Sequence, residues 1–96
     1  MNTADGKVWI LRQFRHILRA NSIHLRQPFS WRYPPPAWRT RDATHELLIF
    51  TLARQTKSTR LEIPHSVIEG CGTGDYYQRQ LATKHIVEQL TQMHCL

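Results

Sequence analysis

The residues best suited to chemistry are six histidines (His16, His24, His45, His65, His85, His94) and two cysteines (Cys71, Cys95). A zinc site needs three or four of these to converge. They are scattered, with no Cys-x-x-Cys pair and no His-x-x-x-His beside a third ligand. His94-Cys95 is adjacent but sits at the C-terminal end. No resident metal is therefore expected. Ser66 follows His65 directly, yet a nucleophile and its base need a third group to orient them. The acidic residues after Asp42 are well separated, so no paired-carboxylate site is expected either. These residues point to a protein that is not an enzyme.

One glycine run needs separate treatment. Val67-Ile68-Glu69-Gly70-Cys71-Gly72-Thr73-Gly74 resembles the first motif of class I methyltransferases. Glycines in that motif let the backbone approach a cofactor after a buried strand. Here Glu69 abuts Gly70, where the family leaves an apolar spacer, and only 22 residues follow the run. Nothing before it reads as a parallel sheet. The run is therefore read as a turn leading into a last helix, and no cofactor of the chain's own is expected.

Charge carries more information. The 96 residues hold 13 Lys/Arg against 7 Asp/Glu, a net charge of +6. All of that excess lies within residues 1–42, which hold eight basic and two acidic residues; the remainder holds five of each. A basic half on a neutral half points to an anionic partner. The segment Phe29-Ser30-Trp31-Arg32-Tyr33-Pro34-Pro35-Pro36-Ala37-Trp38-Arg39 interleaves aromatics with arginines. Such a loop can stack on bases or lie flat on a protein surface. Trp31, Arg32, Tyr33, Trp38 and Arg39 are its candidate contacts. Sparse cysteines fit a reducing compartment, and the N-terminus lacks the pattern of a secretory signal. No apolar run approaches the ~18 residues that cross a bilayer.

The elements that must position these residues read as an all-α chain: a small three-helix bundle with a Pro/aromatic-rich loop between helices one and two. At this length it is one domain. Ile10, Phe14, Ile17 and Leu18 follow helical spacing, which predicts a helix over 3–22 with Arg12, Arg15, His16 and Arg19 on an adjacent face. Residues 23–41 are the loop, since three consecutive prolines cannot be helix interior. A second helix is predicted over 42–57, capped by Asp42. Its run Leu47-Leu48-Ile49-Phe50-Thr51-Leu52-Ala53 also fits a buried strand, but Arg54-Gln55-Thr56-Lys57 extends it without a turn signal. Residues 58–74 read as irregular, with one turn at His65–Glu69 after Pro64. A third helix is predicted over 75–94, with Ala82, Ile86, Leu90 and Met93 as its apolar stripe.

The first helix also resembles a family. Phe14-Arg15-His16-Ile17-Leu18-Arg19 is similar to the Tyr-Arg-x-Leu-Leu-Arg core of the LYR-motif proteins, with Gln13 where that family has Leu. Leu52-Ala53-Arg54-Gln55-Thr56-Lys57 loosely echoes the aromatic–Arg end of the family's second helix. The resemblance implies a small basic three-helix protein in the mitochondrial matrix or on the matrix face of the inner membrane. It further implies a non-enzymatic accessory or adaptor subunit of a respiratory complex or its assembly machinery. The family's partner is the acidic mitochondrial acyl carrier protein, whose acylated phosphopantetheine enters a channel between the helices. On that reading Arg12, Phe14, Arg15, Arg19 and Lys57 bind the partner. Ile17, Leu18 and Phe50, with Phe14, line the acyl channel. The competing expectation is a mitochondrial ribosomal or other RNA-contacting structural subunit.

Overall fold

The computed structural model describes residues 3–20, 36–51 and 59–92. Its elements run, in chain order, α1 (Thr3–Ala20), β1 (Ala37–Thr40), β2 (His45–Phe50), β3 (Thr59–Pro64), α2 (His65–Thr73) and α3 (Tyr76–Gln92). The three strands form one antiparallel sheet in the order β1-β2-β3. The expected all-α three-helix bundle is thus overturned: the fold is mixed, with three helices against a three-stranded sheet.

The correction is greatest over the predicted second helix at 42–57. Residues 45–50 are a strand, and Asp42 caps a turn. Its Oδ1 accepts hydrogen bonds from the Thr44 and His45 backbone N–H groups at 2.8 and 2.9 Å, and from the Thr44 hydroxyl at 2.8 Å. Those donors hold the exposed Asp42 carboxyl down at about 2. The turn is closed by Arg41 N–H donating to His45 O at 3.2 Å. Side chains along β2 alternate between the two faces. Glu46, Leu48 and Phe50 point inward and are buried, while His45, Leu47 and Ile49 point outward.

Two more segments read as irregular are regular. The end of the proline-rich loop is β1, which pairs with β2 in the register Ala37–Ile49, Trp38–Leu48, Arg39–Leu47 and Thr40–Glu46. Within 58–74 lie β3 and α2. Leu61 and Ile63 face inward from β3, beside Leu48 and Glu46. Pro64 ends the strand in extended geometry and leads straight into α2. The residues Glu69-Gly70-Cys71-Gly72 are helical, so the glycine run is neither a strand end nor a phosphate-type loop. Only Gly74 is a turn glycine. Its φ of 84° is left-handed, and it closes α2 before Asp75 accepts from Gln78 N–H at 3.1 Å to start α3.

The core lies between the inner face of the sheet and the helices. Ile10, Phe14, Ile17 and Leu18 from α1 meet Leu48, Phe50, Leu61 and Ile63 from the sheet. The Phe14 and Phe50 rings stand 4.6 Å apart, centroid to centroid, at 53°. Val67, Ile68 and Cys71 from α2, with Ala82, Ile86 and Leu90 from α3, complete the core. Two contacts tie α1 to α3. The Gln13 amide donates to the Thr83 hydroxyl at 3.3 Å, and the Arg79 guanidinium lies 5.0 Å over the Trp9 ring. Gly6 sets the α1–α2 crossing: a Cβ there would lie 1.8 Å from the Ile68 carbonyl oxygen, so the two backbones meet as closely as glycine allows.

Candidate functional site

Four elements converge on one carboxylate. Glu46 projects inward from β2 and is 6% exposed. Lys7 reaches it from α1, with Nζ 3.3 Å from Oε1. The Thr40 hydroxyl on β1 donates to the same oxygen at 3.3 Å. His65, the first residue of α2, places Nε2 at 3.4 Å from it, close enough to attract but not aligned as a hydrogen bond. Burial pushes the Glu46 carboxyl up, but Lys7, Thr40 and His65 together outweigh it and hold the group below its ordinary value. The carboxylate is therefore charged at neutral pH, and it locks α1, β1 and α2 onto β2. Among the described residues nothing donates to Glu46 Oε2. Trp38 shares this inner face, diagonal to Glu46, with Lys7 Nζ 5.8 Å from its ring centroid.

Chemically this node is a buried anion inside a cationic and hydroxyl shell. A general base near neutral pH needs its carboxyl raised; this one is lowered. The Cys71 thiol is fully buried in the core, and burial pushes it up to about 11, so it stays protonated. It behaves as a small apolar core residue.

The outer face of the sheet has a second charged network. Arg41 pairs with Glu62 across the sheet, and His45 stands between Asp42 and Glu62 at 3.6 and 3.7 Å. Beside it Arg39 and Arg60 are exposed, flanking the half-buried Leu47 and Ile49.

The sequence-predicted residues divide as follows. Arg12 and Arg19 are exposed on α1, Arg15 is half-buried there, and His16 is exposed between them. Phe14, Ile17, Leu18 and Phe50 were expected to line an interhelical channel. They are core side chains, at most 8% exposed, and Phe50 belongs to a strand. Trp38, expected as an outward loop contact, faces inward from β1 and packs against the core. Arg39 points to the opposite face and is exposed. Trp31, Arg32, Tyr33 and Lys57 lie outside the described residues.

Sequence reasoning weighed His65 only as a metal ligand or base and passed over Lys7, Thr40 and Glu46. Their convergence depends on the pairing of β2 with β1 and β3 and on the packing of α1 beside it, and no sequence spacing displays it. Compared with protein-family models, with curated proteins and with solved structures, the chain matches none.

Proposed function

We propose that the chain is a non-enzymatic docking subunit that captures an acidic protein through the exposed face of its first helix. The observation that carries this reading is the division of α1 into two faces. Ile10, Phe14, Ile17 and Leu18 are spent on the chain's own core. Opposite them Val8, Arg12, His16 and Arg19 follow i, i+4, i+8, i+11 spacing and are all exposed. The only acid on this helix is Asp5, one turn before that strip begins. Two exposed arginines on one helix face, with no acid among them, orient and accelerate the approach of an anionic partner. The acyl carrier protein named by the family resemblance is one such partner. An RNA partner is the competing reading; Trp38, the one described aromatic of the loop expected to stack on bases, faces the core, although Tyr76 and Tyr77 are exposed at the start of α3.

The test is capture from the native source by wild-type protein and by an Arg12→Glu/Arg19→Glu variant. Both side chains are exposed, so the variant should keep its helicity. Capture of an acidic protein should fall by roughly tenfold or more and should weaken with added salt in the wild type. It should resist nuclease. Unchanged capture by the variant, or loss of all captured material on nuclease treatment, would overturn the reading.

A further inference from the structure

The outer edge of β1 carries backbone groups that no described strand pairs. Arg41 N–H donates to His45 O, and the same register pairs Arg39 with Leu47 and Ala37 with Ile49. In an antiparallel ladder hydrogen-bonded rungs alternate with non-bonded ones. Arg41, Arg39 and Ala37 therefore occupy the bonded rungs. Trp38 and Thr40 occupy the others, so their N–H and C=O groups point away from β2. Among the described residues no strand pairs with that edge. Two donors and two acceptors at alternate positions form a template for one more strand.

We infer that this edge accepts an acidic, extended segment of another protein as a fourth strand. The charge pattern selects that occupant. β1 holds no acid, and Arg39 projects to the outer face with its side chain exposed. Arg41, next along the same face, is engaged with Glu62, so Arg39 is the charge an incoming strand meets. A second copy of this chain is disfavoured. The antiparallel register that uses both outward-pointing residues pairs Trp38 with Thr40 of the other copy. It thereby sets Arg39 directly opposite its own equivalent, and like charges so placed repel. An incoming acidic residue at that position gains an ion pair instead. On the inner side the incoming strand runs beside Trp38 and Thr40, which favours small or aliphatic side chains. The preferred segment thus alternates acidic and aliphatic residues over about four to six positions. This inference stands on β1 and is independent of the first-helix strip.

Proline at position 40 provides the test. It removes an N–H that points away from β2, a position where an edge strand accepts proline. Thr40→Val removes only the hydroxyl that bonds Glu46 and serves as the control. The probe is a capped eight-residue peptide of alternating Glu and Val, with its Lys/Val counterpart. The Glu peptide should bind at least tenfold tighter than the Lys peptide. Thr40→Pro should lose at least tenfold against Thr40→Val. In the wild-type chain, which needs no substitution, the Trp38 and Thr40 amides should gain hydrogen-exchange protection on adding the Glu peptide. Three results would overturn the inference. One is no change in exchange at those two amides. Another is equal peptide binding by the two variants. The third is protection by a single-stranded oligouridine, or by raising the protein concentration, in place of the peptide.

Discussion

Glu46 is the residue on which the described structure is most sensitive to charge. It is buried, it is held ionised by Lys7, Thr40 and His65, and it joins four elements. A carboxyl held below its ordinary value adds stability that is present above its unfolded value and is lost as pH falls through the folded one. The acid limb of the stability curve, beginning as pH drops below the ordinary 4.5, should therefore be partly due to Glu46. Glu46→Gln keeps the shape and removes the charge. Its cost at neutral pH should be about 1.5–3 kcal/mol, the range for hydrogen bonds to charged groups. The acid limb should become shallower, with the share due to Asp42 remaining. Urea titrations from pH 7 to pH 3 would check this, and an acid limb of unchanged slope would show that the node is electrostatically idle.

At the scale of elements, the α1–α2 crossing makes the firmest prediction. Alanine is normally preferred to glycine inside a helix by about 1 kcal/mol. At Gly6 the sign should reverse, because the added Cβ meets the Ile68 backbone carbonyl, which cannot rotate away as a side chain would. Gly6→Ala should cost about 3 kcal/mol as an overpacking change. That corresponds to a fall of roughly 15 °C in Tm for a chain of this size. A thermal melt equal to or above the wild type would mean that the helices do not approach as described. Circular dichroism should report a mixed spectrum, with a strand contribution that a three-helix bundle would lack.

The elements also show which parts of the fold the residues disclosed. The apolar stripe of α1, from Ile10 to Leu18, is a clean helical signal because its core-facing positions are all apolar. β2 is hidden because its pattern is inverted at three places. A charged residue, Glu46, stands on the buried face, and Leu47 and Ile49 stand on the outer one. The period of two therefore disappears into a continuous apolar run. β3 has a clear signal, since Arg60, Leu61, Glu62 and Ile63 alternate polar and apolar, yet residues 58–74 read as irregular. The site around Glu46 was not legible. Lys7 and His65 are far apart in sequence and meet only because α1 and the start of α2 both pack beside Glu46.

For the molecule as a whole, the core claims one face of each element, and what is left outside is basic on α1 and at β1. Captured partners should therefore share an acidic surface, and their binding should decline with ionic strength. The salt response alone does not separate protein from RNA, since both are anionic. A position-specific cross-link does. A photoreactive residue at His16, between Arg12 and Arg19 on the exposed strip, would report what touches that face; the same residue at Glu69, exposed on α2, is the control. The account predicts cross-links from position 16 to an acidic protein and few from position 69. Cross-links to nucleic acid at position 16, or equal protein yields at both positions, would contradict it.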